Sequence, residues 1–219
     1  MNYDRLYEYR FREVDQRARE RVWGEISSFV HDQMRQPQRV LDPAAGRCEF
    51  INAIPAAERW AVDRVAYGEE CRNGGTHLIV SDIMEAELPR AYFDGVWVSN
   101  FLEHLPTQEH VADFLERMRD CLRPGGRIAI MGPNFRFCAD EYFDCADHTI
   151  VLTHVGAAEH VYAAGFEVER LEPKFLPYSF RGHLPPSAAL TRLYLRFRPA
   201  WRLLGKQFLV IGRRVEEDD

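Results

Sequence analysis

Three acidic residues, Asp42, Asp63 and Asp82, stand at the ends of short apolar segments that predict β-strands. Asp63 comes 21 residues after Asp42. An acid about 20 residues beyond a glycine-containing loop, at the end of the second strand, can accept hydrogen bonds from both hydroxyls of a ribose. An acid that only starts a turn is the simpler alternative, but two acids at this spacing favour a nucleoside-like ligand.

The turn after Asp42 contains small residues at Ala44 and Gly46 and leads into a predicted helix. A strand, a tight loop and a helix N-terminus form the part of a βα unit where nucleotide-like ligands dock. In the spacing of a dinucleotide fingerprint, Glu49 would take the third glycine position, where its carboxylate would repel a pyrophosphate. A cationic ligand without phosphate is compatible with Asp42 and Glu49, and S-adenosylmethionine, with a sulfonium and an ammonium group, is such a ligand.

Several segments, taken in chain order, resemble motifs of the class I S-adenosylmethionine-dependent methyltransferases. The loop from Asp42 resembles their first motif, although Ala44 and Cys48 replace its first and third glycines. Residues 92–105 resemble the fourth motif, and the Leu-Arg-Pro-Gly-Gly of residues 122–126 is a further family hallmark. The resemblance implies a cofactor site formed by Asp42, Ala44, Gly46, Asp63, Asp82, Ile83, Asn100 and Phe101.

The resemblance also implies a role for several of these residues. In the family, the acid that ends the second strand binds the ribose hydroxyls, and here that acid is Asp63. The acid after the third strand receives the adenine amino group, and the next backbone N–H reaches a ring nitrogen. These roles fall to Asp82 and Ile83. Asn100 and Phe101 follow the fourth strand, whose end faces the methyl-transfer centre.

Two histidines, His148 first and His104 second, are the candidate catalytic residues. Methyl transfer depends mainly on in-line positioning and exclusion of water, but a hydroxyl acceptor should benefit from a general base. His104 could instead brace its loop, and His148 could be a surface or supporting histidine. His148 and His154 lack the spacing of metal ligands on a helix, so no metal site is predicted.

The segment pattern and the resemblance predict a doubly wound, Rossmann-like α/β fold. Its seven-stranded sheet should be mostly parallel with an antiparallel last strand. We expect the methyltransferase domain to span residues 38–212, an acidic disordered tail to span 213–219, and residues 1–37 to be helical. In the family such an N-terminal helical segment often covers the cofactor as a lid, although simple packing on the sheet is the alternative. The candidate lid residues are Tyr3, Tyr7, Tyr9 and Arg10.

A basic segment at residues 177–206 contains no acid in a chain that is net negative. Apolar residues alternate with its bases, which predicts an amphipathic insertion interrupted at Pro199. Such a segment could contact an anionic membrane surface or bind an anionic acceptor. An insertion that packs its apolar face on the domain is the alternative. The bases are Arg181, Arg192, Arg196, Arg198, Arg202 and Lys206.

Composition narrows the classes of partner and compartment. A net charge of -6 argues against a general nucleic-acid binder, because binding phosphates requires a basic surface. The five cysteines are odd in number and contain no C-x-x-C pair, which predicts a reduced, cytoplasmic protein without a structural zinc site. The sequence has no apolar run of about 18 residues, and its polar start does not resemble a signal peptide.

Together these features predict an S-adenosylmethionine-dependent methyltransferase that O-methylates a small or glycan-type acceptor. The basic segment favours an anionic or lipid-linked acceptor, such as a sugar intermediate of cell-surface glycan synthesis. Because Ala44 and Cys48 alter the glycine loop, a catalytically silent S-adenosylmethionine-binding regulatory module is the alternative. A dehydrogenase comes third, and Glu49 argues against it.

Overall fold

One mixed sheet organises the protein, which is described here by a computed structural model for residues 3–12, 15–65, 75–178 and 187–215. The strands are β1 Arg39–Asp42, β2 Glu58–Asp63, β3 His77–Val80, β4 Phe93–Ser99, β5 Leu122–Pro133, β6 Phe166–Glu172 and β7 Gln207–Arg214. They form a seven-stranded sheet in the order β3-β2-β1-β4-β5-β7-β6. Only β7 runs antiparallel to its neighbours, β5 and β6, and the other pairings are parallel. The predicted doubly wound fold is confirmed.

Helices cover both faces of this sheet. They are α1 Tyr3–Phe11, α2 Gln16–Gln33, α3 Glu49–Ala53, α4 Gln108–Cys121, α5 Phe135–Tyr142, α6 His154–Ala163, α7 Ala188–Arg196 and α8 Arg198–Leu204. One buried cluster joins α4 and α6 to the sheet, and a second joins α2, α3, α7 and α8 to it. Val96, Trp97 and Val98 of β4 are therefore buried in succession, as expected of a central strand covered on both faces.

The start of β5 contains a bulge in its pairing with β4. Leu122 pairs with Phe93, and Arg127 is the next residue to pair, with Gly95, so the predicted Arg-Pro-Gly-Gly turn is a bulge within the observed β5. A Cβ on Gly126 would lie 2.8 Å from the carbonyl oxygen of Arg123, closer than such atoms approach. A glycine is therefore required at this position.

The basic segment forms α7 and α8, which are separated at Phe197, just before Pro199. Trp201 is 2% exposed and packs edge-on against Phe29 of α2 and Phe175. The predicted packing on the domain is thus present, but it does not use all of the apolar residues. Among the described residues of this segment, large apolar side chains stay exposed at Leu190, Leu193, Phe197, Leu203 and Leu204.

Some predictions concern the C-terminal end of the domain and residues outside the described ranges. Strand β7 continues to Arg214, beyond the expected domain end at residue 212. Arg181 and the acids of residues 216–219 lie outside the described residues. Within the described part of the chain, no helix combines the length and apolar character needed to cross a membrane.

Candidate active site

The carboxylate of Asp63 joins the end of β2 to the loop after β1. Its Oδ2 accepts a hydrogen bond from the backbone N–H of Gly46 at 2.7 Å, and its Oδ1 accepts one from Val65 at 2.9 Å. Burial raises the pKa of Asp63, and these N–H donors act in the opposite direction by stabilising the charged form. Asp63 therefore holds the small-residue loop in position, and its predicted role in binding ribose hydroxyls stays a prediction.

The loop itself is open on the side where a ligand would approach. Gly46 has a φ of 51°, and a Cβ at this residue would have no atom within 4 Å. Cys48 also adopts a left-handed φ, of 60°, and its N–H donates to the carbonyl of Ala45 at 2.8 Å. A side chain in that region is strained relative to the glycine of the related motif.

The state of the cysteines differs in part from the prediction. Cys48 is disulfide-bonded, so the expectation of a fully reduced chain is wrong at this residue. Cys121, Cys138 and Cys145 are free thiols. Burial raises the pKa of Cys121 and Cys138, which makes both thiols unreactive at neutral pH.

The two acids that were expected to attract a cationic ligand are compensated inside the protein. Asp42 is buried, and its desolvation raises its pKa to about 8, so it is mostly protonated at neutral pH. Glu49 forms an ion pair with Nε of Arg19 at 2.6 Å and accepts a hydrogen bond from Gln16 at 3.1 Å. The negative charge of Glu49 is therefore matched by α2, and Asp42 carries little charge before a ligand binds.

Asp82 and Ile83 lie on the neighbouring loop, after β3. Asp82 pairs with Arg64, the residue that follows Asp63, and accepts the N–H of Met84 at 2.8 Å. Desolvation would raise the pKa of Asp82, but Met84 and Arg64 together outweigh it and lower that pKa. The side chain of Ile83 is buried, and within the described residues its backbone N–H makes no hydrogen bond.

Asn100 and Phe101 turn the chain at the end of β4. Asn100 has a φ of 49°, and its N–H donates to the carbonyl of Met131 at 2.9 Å. Its side-chain amide donates to Oε1 of Gln207, also at 2.9 Å, so β7 helps to hold this turn. The ring of Phe101 packs 5.0 Å from that of Phe114, which places it partly in the core.

Hydrogen bonds from residues 147–149 hold a loop that is distant in sequence against this turn. The N–H of Thr149 donates to the carbonyl oxygen of Glu103 at 2.9 Å, and its hydroxyl donates to Glu103 and Leu105 at 3.1 and 2.5 Å. Nδ1 of His104 lies 3.0 Å from the carbonyl oxygen of Asp147. His148, between Asp147 and Thr149, is thereby placed beside His104.

His104 and His148 therefore meet, as their assignment to one catalytic centre requires. Their ring centroids are 4.9 Å apart, and the His148 ring also packs 4.7 Å from that of Tyr142. Burial, followed by the neighbouring His104, lowers the pKa of His148 to about 4, so its imidazole is neutral at physiological pH. His154 takes no part, because it bonds to the amide of Asn134 at 3.0 Å and serves the fold.

Arg10 connects the first helix to this centre. It pairs with the carboxylate of Asp147, the residue next to His148. Of the other lid candidates, Tyr9 is largely exposed, and the side chains of Tyr3 and Tyr7 lie outside the description. A lid role for residues 1–37 stays a prediction, and it now depends on Arg10.

Sequence reasoning did not select two residues that the structure brings to the centre. Glu103 directly precedes His104, and its side chain is buried beside the two histidines. Asp147 contacts both His104 and Arg10. The adjacency of Glu103 and His104 was a usable signal, whereas nothing in the local pattern pointed to Asp147.

The raised pKa of Asp42 predicts a specific dependence of stability on pH. An unfolded aspartate has a pKa of about 3.9, so the folded state binds this proton more tightly, and wild-type stability should fall as pH rises from about 4 to about 8. Asp42→Asn cannot ionise and keeps an oxygen for the N–H of Ala44. Denaturant titrations should show the variant gaining on the wild type across this window, by more than about 1 kcal/mol near pH 7.

Asp94→Asn is the control of opposite sign. Desolvation would raise the pKa of Asp94, but its bonds to Arg39 and Arg123 outweigh that effect and lower the pKa to about 2. Its ionised form therefore stabilises the fold above about pH 4, and the asparagine variant should be less stable at neutral pH. Parallel pH profiles for Asp42→Asn and the wild type would contradict the raised pKa of Asp42.

Comparisons with known proteins agree with this arrangement. Residues 39–130 match a family model described as a methyltransferase domain. No curated protein sequence matches the chain. A solved S-adenosylmethionine-dependent methyltransferase from Archaeoglobus fulgidus has a TM-score of 0.63 at 20% identity, over 97% of this chain and 100% of that one.

Two further solved structures share the fold. The 1,6-didemethyltoxoflavin-N1-methyltransferase of Burkholderia thailandensis, with S-adenosylhomocysteine bound, has a TM-score of 0.60 at 20% identity, over 98% of this chain and 89% of that one. The N-methyltransferase NodS of Bradyrhizobium japonicum, also with S-adenosylhomocysteine, has a TM-score of 0.62 at 12% identity, over 95% and 92%. The chain therefore contains a methyltransferase domain and has the fold of the class I S-adenosylmethionine-dependent methyltransferases.

Proposed function

We propose that this chain uses S-adenosylmethionine to O-methylate a small or glycan-type acceptor. The methyltransferase domain and the fold support the reaction class. The observation that carries the choice of a hydroxyl acceptor is the meeting of His104 and His148 at the end of β4. The similar N-methyltransferases share the fold with this chain at 20% identity or less, which leaves the acceptor atom to be argued from the site.

The residues of the cofactor loop fit S-adenosylmethionine. Each oxygen of Asp63 accepts one backbone N–H and has a further lone pair for a ribose hydroxyl. The free N–H of Ile83 can donate to an adenine nitrogen, and the open space before Gly46 lets a ligand approach the backbone. When bound, the cofactor supplies a methyl group on a positively charged sulfur.

The histidine pair favours a hydroxyl over an amine. A neutral amine can attack a methyl group with its lone pair, whereas a hydroxyl becomes a good nucleophile only as it loses its proton. The C–O bond then forms as the C–S bond breaks, and the hydroxyl proton needs a recipient. The neutral imidazole of His148, whose Nδ1 is buried without a partner, is such a recipient.

We also propose that α7 and α8 contact an anionic surface, either a membrane or a lipid-linked acceptor. Leu203 is 80% exposed, and Leu193 and Phe197 are exposed beside it in the same two-helix segment. Arg198 and Arg202 lie in α8 together with Leu203. Exposed apolar side chains flanked by bases favour binding to anionic lipid headgroups.

Asp63→Ala should weaken cofactor binding. A hydrogen bond to a charged group contributes about 1.5–3 kcal/mol, so we expect the affinity for S-adenosylmethionine to fall by roughly ten- to a hundredfold. Calorimetric titration measures this, with S-adenosylhomocysteine as a second ligand and NAD as a ligand that should not bind. Asp113→Ala, at an exposed acid of α4, is the matched control and should bind normally. Failure of the wild type to bind either adenosyl ligand would refute the proposed cofactor.

His148→Gln should remove methyl transfer without removing the cofactor. General base catalysis contributes about 10²–10⁴-fold, so kcat should fall by that factor while S-adenosylmethionine affinity is unchanged. Release of S-adenosylhomocysteine from panels of hydroxyl and amine acceptors measures this, and exposed His110→Gln is the control. Methylation of amines alone would contradict O-methylation. Cofactor binding without turnover on any acceptor would favour the silent regulatory module.

The double variant Leu193→Glu, Leu203→Glu should reduce membrane binding. Co-sedimentation with vesicles of phosphatidylserine and phosphatidylcholine should recover the wild type but not the variant, because the new carboxylates are repelled by anionic lipid. Val155→Glu, at an exposed residue of α6, should behave as the wild type does. Equal recovery with pure phosphatidylcholine would argue against a preference for anionic lipid, and recovery with neither vesicle would argue against a membrane surface as the partner.

A further inference from the structure

Two histidines and a buried glutamate face one point beside the turn after β4, and we infer that they bind a divalent transition-metal cation. Glu103, His104 and His148 each offer one ligand atom, and these atoms lie within 4.8 Å of one another. Two imidazoles and a carboxylate are a known ligand set for catalytic zinc and related first-row cations, and they leave positions open for another oxygen. The inference rests on the proposed function for the identity of that oxygen, the acceptor hydroxyl.

Unpaired buried atoms support a ligand at this point. Glu103 is 1% exposed, yet neither of its carboxylate oxygens has a hydrogen-bond partner in the described structure. Burial raises the pKa of this carboxyl group and the nearby amide of Asn100 acts to lower it, but the hydrogen bond of ordinary geometry that this amide makes goes to Gln207. Nδ1 of His148 is likewise buried and unpaired. Buried polar atoms are rarely left without a partner, and a bound ion is one of the few explanations.

The surroundings of His104 match those of a metal-binding histidine. Its Nδ1 lies 3.0 Å from the carbonyl oxygen and 3.4 Å from the carboxylate of Asp147, so Nδ1 carries the proton and Nε2 is left for a cation. Ligand histidines in proteins are usually held by such a second acceptor. Arg10 pairs with the carboxylate of Asp147 and so holds the support in place.

The donor set selects the class of cation and its task. Imidazole nitrogens suit zinc, iron, nickel and copper, whereas Mg²⁺ and Ca²⁺ prefer oxygen ligands throughout. Bonds of about 2.0–2.2 Å place tetrahedral ligand atoms about 3.3–3.6 Å apart, so the most widely spaced of these atoms need to close by up to about 1.5 Å. With a cation bound, both imidazoles would be ligands and His148 would no longer accept the proton. The cation would instead lower the pKa of the acceptor hydroxyl, so that its proton leaves to water before the methyl group is transferred.

The test is a titration of the full chain with Mn²⁺ after removal of metals by a chelator. Loss of the electron paramagnetic resonance signal of free Mn²⁺ reports binding, and Mn²⁺ is chosen because it prefers nitrogen and oxygen to the free thiols of this chain. We expect one equivalent to bind and Zn²⁺ to displace it. Glu103→Gln and His148→Gln should each weaken binding at least tenfold, and the control His110→Gln should not.

The controls separate a lost site from a lost fold or a wrong function. Glu103→Gln replaces a carboxyl group by an amide of the same shape, and circular dichroism checks that the variant is folded. No binding by the wild type, or unchanged binding in both variants, would overturn the cation site and leave His148 as a metal-free base. Calorimetric titration of the same samples with S-adenosylhomocysteine, the stable product of S-adenosylmethionine, tests the proposed function independently. Neither Glu103 nor His148 belongs to the cofactor loop.

Discussion

The parallel register of β3, β2, β1 and β4 is the constraint on which the site depends. Asp42 pairs with Ala61 and Asp63 pairs with Val80, so these neighbouring strands run side by side up to their carboxyl ends. Parallel strands place those ends on one edge of the sheet. Residues that are far apart in sequence therefore reach the same edge of the sheet, and each loop needs only to turn back into a covering helix.

Several acids at the carboxyl ends of the strands have a raised pKa, whereas acids at the amino ends have a lowered pKa. At the carboxyl ends, burial raises the pKa of Asp42, Asp63 and Glu103. At the amino ends, the pKa of Glu58 is lowered by Trp60 and then Tyr92, and arginines lower that of Asp94 despite its desolvation. Paired acids with a lowered pKa stabilise the folded state at neutral pH, whereas buried acids with a raised pKa cost stability. The protein thus keeps its costly acids at the edge where a ligand can compensate them.

The sequence was sufficient to predict the seven-stranded mixed sheet, because most of its strands are short apolar runs bounded by polar or turn-forming residues. The cofactor loop stays a prediction. The sequence was not sufficient to predict how Glu103 joins His104 and His148. That contact depends on Thr149, which ties two loops together through backbone carbonyls and leaves no periodic pattern. The exposure of Leu203 could not be predicted either, because the pattern of an amphipathic helix does not show how much of its apolar face is covered.

The pairing of Arg10 with Asp147 links two events that are separate in a protein with an independent lid. The first helix cannot lift without releasing the carboxylate that supports His104 and adjoins His148. If residues 1–37 act as the predicted lid, opening of the site and loss of the geometry around His104 would therefore be one conformational step. In such a protein the proposed methylating arrangement would exist only while the site is closed, so water entering the open site would meet residues that are no longer aligned for reaction.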